Sequence, residues 1–168
     1  MRGKQYGSVT GTVVEMVPAA NKGRSNQGCM MFASVEDEEG NLTVFLVTPS
    51  TYVLDYVRIT TGMKGTFWYD TNAPVPLIFP PQYNAVVVAE EIPGRSVDVG
   101  YYNNSFVNDS QTLKLNLDAS TEVVTVNNQI FSGSPAGNNL VVVYDFSTRS
   151  IPAQTTPMKV VVLCNRAY

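Results

Sequence analysis

Short runs of β-branched and aromatic residues, separated by turn residues, dominate the chain and predict strands. Val9, Thr10, Thr12, Val13, Val14, Met16 and Val17 make the first run, and a polar loop from Pro18 to Gly28 follows. Cys29 to Val35 is the second run, closed by the acidic turn Glu36 to Asn41, and Leu42 to Val47 returns as its hairpin partner. Gly65 to Tyr69 and Ala85 to Ala89 are the fourth and fifth. Between these two stand Pro74, Pro76, Pro80 and Pro81. Proline has no N–H to give to a ladder, so the segment from Asp70 to Gln82 reads as an irregular excursion. Thr51 to Tyr56 is the one short helical turn the pattern admits, weakened by its β-branched residues.

The second half repeats this order. The stretch from Thr43 to Val53 matches that from Leu113 to Val123, and Phe45 and Val47 fall on Leu115 and Leu117, so the same face is apolar in both. The tetrapeptide Ser50-Thr51-Tyr52-Val53 aligns with Ser120-Thr121-Glu122-Val123. Tyr69-Asp70 matches Tyr144-Asp145, and the triplet Val86-Val87-Val88 matches Val160-Val161-Val162. Three ordered matches predict two related units of about 75 residues joined near Ile92-Pro93-Gly94. Five strands with a central hairpin and a long connection before the fourth fit a small Greek-key barrel. The expectation is therefore an all-β protein of two tandem OB-like barrel units packed as one body. An N-terminal arm spans 1–7, the first unit 8–91 and the second 95–168.

Composition narrows the chemistry. Among 168 residues there is no histidine, and Asp+Glu exceed Lys+Arg by 14 to 11, for a net charge of -3. A Ser-His-Asp triad, a Cys-His dyad and a His-ligated metal are excluded at once. Scattered cations on an acidic chain argue against general nucleic-acid binding. No apolar run approaches the roughly 20 residues of a membrane-spanning helix, and the segment Met1 to Gly7 lacks the apolar region of a signal peptide. Cys29 and Cys164 read as small buried hydrophobes, as a disulfide, or as a cross-link between subunits. The sequons at Asn41, Asn103 and Asn108 are of a kind that an Asn-rich chain produces by chance.

The acidic turn from Glu36 to Asn41 lacks the ligand spacing of a calcium loop and reads as a solvated hairpin turn. Glu90-Glu91 reads as an exposed strand end, and no carboxylate pair is assigned to one cleft. Phe67-Trp68-Tyr69 offers a stacking face, with core packing as the competing reading, because alternation turns Trp68 away from its neighbours. The excursion carrying Phe79 and ending at Tyr83 is either a partner-docking loop or a lid packed over a barrel end. Candidate partner contacts are Lys4, Gln5, Tyr6, Trp68, Phe79 and Tyr83. No catalytic residue, cofactor or metal is assigned.

The strings Tyr69-Asp70-Thr71-Asn72-Ala73-Pro74-Val75-Pro76 and Thr148-Arg149-Ser150-Ile151-Pro152-Ala153-Gln154-Thr155-Thr156-Pro157 resemble a β-rich family of Gram-positive, spore-forming bacteria. Its members stand alone or lie beside stalk domains resembling the N-terminal domain of copper amine oxidase. The resemblance runs from about Val9 to Leu163; the Pro18 to Gly28 loop and Cys29 depart from it. The family label is poor in function, and it carries no catalytic or ligand residues across.

These observations lead to the expectation of a non-catalytic structural protein that self-assembles at a bacterial surface, as a homo-oligomer or filament joined through β-strand edges. The arm would add to a neighbour's sheet. An OB-type binding module for oligosaccharide, peptide or single-stranded nucleic acid is the alternative. An enzyme would have to run on carboxylates, Lys or Tyr alone.

Overall fold

The computed structural model describes residues 3–19 and 28–164. Residues 20–27 of the expected polar loop lie outside the described residues. The protein is all-β, and among the described residues one 3-10 turn, Leu54–Tyr56, lies inside the stretch expected to be a helical turn. The chain divides into a first unit, Tyr6–Glu91, and a second, Met1–Gln5 with Ile92–Tyr168.

In the first unit the strands are β1 (Tyr6–Pro18), β2 (Met31–Glu36), β3 (Leu42–Val47), β4 (Tyr52–Val53), β5 (Lys64–Asp70), β6 (Gln82–Asn84) and β7 (Val87–Glu90). β1 is long enough to serve two partners. Its Tyr6 to Thr12 half pairs with β5, and its Thr12 to Pro18 half pairs with β2. A register shift between Val13 and Glu15 marks the change, as a bulge does where a strand bends. β2 and β3 form the expected hairpin, closed by Asp37, whose Oδ1 accepts the Glu39 and Asn41 N–H groups at 3.0 and 2.9 Å.

β6 and β7 are two parts of one passage. β6 runs parallel to β3, and β7 runs antiparallel to β5. At the joint, Ala85 N–H donates to Leu46 C=O at 3.0 Å, and the next residue, Val86, donates to Trp68 C=O at 2.8 Å. Neighbouring residues thus reach opposite strands, and the pairing closes on itself as β1-β2-β3-β6/β7-β5-β1. Inside lie Val13, Ala33, Val35, Phe45, Met63, Phe67, Ala85 and Val88. Alternation places Phe67 in this core, while Trp68 and Val87 are buried on the opposite face.

The second unit contains β8 (Ser96–Tyr102), β9 (Leu113–Leu115), β10 (Glu122–Thr125), β11 (Asn138–Tyr144), β12 (Ala153–Thr155) and β13 (Lys159–Leu163). Its pairings copy the first unit's. β9 and β12 are parallel as β3 and β6 are, and β10 and β13 are parallel as β4 and β7 are. β11 pairs antiparallel with both β13 and β8, as β5 does with β7 and β1. One side-chain bond recurs too: Thr51 Oγ1 donates to Ala85 C=O at 2.8 Å, and Thr121 Oγ1 to Pro157 C=O at 2.7 Å. The β2 counterpart shrinks to two isolated bridges, Tyr102↔Asn108 and Val107↔Lys114. The ladders thus recur between the units, with the valine-triplet match corrected by two residues: Val88 opposite Val53 holds the place of Val160 opposite Val123. Val141, Val142, Val160 and Val161 are all fully buried, so the valine runs of β11 and β13 are covered on both faces and need no alternation.

The expected arm is shorter than 1–7. Tyr6 and Gly7 already belong to β1, opposite Asp70 and Tyr69, because Gly7 leaves room for the Tyr69 ring: a Cβ there would lie 2.5 Å from it. The arm before them belongs with the second unit, where Lys4 N–H donates to Asn139 Oδ1 at 3.1 Å.

Tyrosine burial sets an alkaline limit on both units. Burial, then the nearby Asp70 charge, pushes the Tyr6 hydroxyl from 10.0 up to about 12. Tyr102 is fully buried and donates its O–H to the Asp98 carboxylate; burial first, then the Asp98 charge, pushes it further up. Each folded tyrosine holds a proton that the unfolded chain releases near its ordinary value. The stability this confers is complete below pH 10, and the Tyr6 share is lost as pH rises from 10.0 through about 12. Melting temperature is expected to fall across this window, and to fall less in a Tyr6→Phe variant. Equal losses in parent and variant would remove Tyr6 as a cause.

Candidate functional site

The excursion between β5 and β6 leaves the sheet at Asp70 and returns at Gln82. Its return is tied down where Val44 N–H donates to Pro81 C=O at 2.8 Å. Below it, aromatic rings form a column from core to rim. Phe67 stacks on Phe45 at 5.0 Å, Tyr83 lies 6.1 Å from Phe45, and Tyr69 stacks on Tyr83 at 3.9 Å. Above the column is an open hollow of about 420 Å³ between Val75 to Phe79 on one side and Pro81 to Tyr83 on the other.

The loop does not fold down as a lid. Leu77 is 100% exposed, Phe79 92% and Ile78 55%. Proline explains this: four prolines hold the loop out of any ladder, and a loop so held cannot turn its side chains back onto the sheet by strand pairing. The second unit does the same at the matching place. Between β11 and β12, Phe146 is 72% exposed and Ile151 97%. Phe79 and Ile151 each precede a cis proline, Pro80 and Pro152.

Family models, curated proteins and solved structures offer no match to this chain. The site is thus read from its own residues.

Of the candidate contacts, Phe79 stands free at the loop tip, and Tyr83 is half-buried with one face taken by Tyr69. Burial, then Tyr83 itself, raises the Tyr69 hydroxyl. Trp68 is corrected: at 8% exposure it is buried, on the face of β5 opposite the Phe67 core, and does not stand free for a partner. Tyr6 is half-buried within β1, while Lys4 and Gln5 have exposed side chains. Cys29 and Cys164 are both exposed and free, which corrects the readings as buried hydrophobes and as a bond within the chain. Cross-linking between chains is the cysteine reading that exposure leaves open.

Leu77, Ile78, Phe146 and Ile151 were not singled out from sequence. Their signal was present: large apolar residues among prolines, in segments with no alternation to bury them. Among the described residues no group of acidic, Cys or His side chains is placed to hold a metal ion, and no helix is long and apolar enough to cross a membrane. At these matching loops both units thus expose large apolar side chains.

Proposed function

We propose that this chain is a non-catalytic structural subunit that self-assembles at a bacterial cell or spore surface, in an oligomer or filament. The observation that carries this reading is the paired exposure of large apolar side chains at matching loops of the two units, 92% at Phe79 and 97% at Ile151. Isolated exposed apolar residues are ordinary; a contiguous set such as Leu77, Ile78 and Phe79 costs solubility unless something covers it. The two units are tandem OB-type barrels in this proposal. Ring closure through β6/β7 and the parallel β3–β6 and β9–β12 pairs support that assignment. The surface location rests on the spore-former resemblance.

The purified full chain is expected to form multimers in size-exclusion chromatography with light scattering, visible by negative-stain microscopy. A strict monomer at high concentration would sink the proposal. Without reductant, the exposed Cys29 and Cys164 are expected to give bands above the monomer on denaturing gels.

A binding role is the second reading, favoured by the hollow beside the Tyr69–Tyr83 stack. A monomer whose tyrosine fluorescence responds to an oligosaccharide or single-stranded oligonucleotide would favour that role over assembly.

A further inference from the structure

The two units carry opposite charge. Tyr6–Glu91 has four Lys/Arg against nine Asp/Glu, a net of -5. Met1–Gln5 with Ile92–Tyr168 has seven against five, a net of +2. The division also holds near the apolar loops. No charged residue lies between Asp70 and Glu90, and the exposed acidic groups Glu36, Glu38 and Glu39 flank the hairpin turn at the same end of the barrel. That placement follows from β3, which begins at Leu42 and whose Val44 holds Pro81. In the second unit, exposed Arg149 sits between Phe146 and Ile151 in the loop itself. Lys114 stands opposite Gln154 in the adjoining β9–β12 ladder, and Asp145 opens the loop as the one nearby anion in sequence.

We propose that the apolar loop of the first unit, Val75 to Phe79, docks on the Phe146–Ile151 loop of the second unit of another copy, so that copies join head to tail. This rests on the self-assembly reading and names its contact. The occupant is a second copy because one chain carries both halves of a complementary pair, apolar tips with rims of opposite sign. Pairing the first-unit loop with its own kind would bring two units of net charge -5 together and be repelled, whereas the unlike pairing is attracted and steered. Apolar tips would form the dry centre of the contact and the charges its rim. Two different patches make a heterologous interface, which extends into an open chain when its rotation does not close.

Complementation between two full-length variants tests this. Phe79→Glu spoils the first-unit patch and leaves the second intact; Ile151→Glu does the reverse. Each alone is expected to be monomeric by native mass spectrometry, and an equimolar mixture, one variant carrying a mass tag, to give a capped one-to-one dimer. A single variant that pairs with itself, or a mixture without the mixed dimer beside an assembling parent, overturns the head-to-tail contact and leaves self-assembly standing. A monomeric parent overturns both. Both side chains are over nine-tenths exposed, so folding is expected to persist, checked by far-UV circular dichroism. Leu77→Glu with Phe146→Glu provides a second, independent pair.

Discussion

Replacing Phe45 by Ala is expected to destabilise the first unit by about 3–5 kcal/mol, the range for truncating a packed aromatic core residue. Phe45 has no exposed surface and sits at the junction of the aromatic column, 5.0 Å from the Phe67 ring and 6.1 Å from Tyr69 and Tyr83. Truncation removes buried apolar area, leaves a cavity and deprives three rings of a packing partner. Urea denaturation followed by tyrosine and tryptophan fluorescence measures the loss. Phe79→Ala provides the contrast: at 92% exposure its change in the dissociated protein is expected within about 0.5 kcal/mol. A Phe45→Ala loss as small as that of Phe79→Ala would mean that the column is not a packed core.

These two phenylalanines also mark what was legible in the sequence. Phe45 lies in an alternating run, Leu42 to Val47, so both its strand and its inward direction follow from period two. The same logic places Val13, Val35 and Phe67, and it turns Trp68 away from them. Phe79 lies where no period operates. Proline spacing says that the segment leaves the sheet but not where its side chains point, so docking loop and lid read equally from sequence; the exposure of Leu77 and Phe79 removes the lid. β6 and β12 were illegible for another reason. Gln82-Tyr83-Asn84 and Ala153-Gln154-Thr155 are short, largely polar and paired in parallel, and their strand character comes from distant partners. The repeat was legible because one anchor, Ser-Thr-x-Val, is held by a recurring bond, that of Thr51 and Thr121, whereas the valine triplets match two residues out of the structural register. The charge difference between units was also present in the residue counts. It gains meaning only once the boundary at Glu91 and the exposed loops are known.

Asn108 shows how misleading a local motif is without burial. The sequon Asn108-Asp109-Ser110 suggests a surface asparagine, yet Asn108 is only 4% exposed. Its Oδ1 accepts the Thr112 and Leu113 N–H groups at 2.8 and 3.0 Å, and its Nδ2 donates to Thr112 Oγ1 at 2.9 Å. The side chain therefore folds the turn between the bridge at Asn108 and the start of β9, doing part of the work of the missing β2 ladder. Asn108→Leu keeps the volume roughly constant but leaves two backbone donors without their acceptor. Each unsatisfied buried group costs about 1–3 kcal/mol, and the Thr112 N–H is near enough to solvent to be rehydrated. The expected loss is thus about 1–3 kcal/mol, most of it from Leu113. Chemical denaturation gives the total, and amide hydrogen exchange gives the location. The Leu113 amide should lose protection while β11, at the centre of its sheet, exchanges little faster than the global loss allows. Unchanged stability with a still-protected Leu113 amide would mean that another acceptor holds the turn, and the structural role assigned to Asn108 would fall.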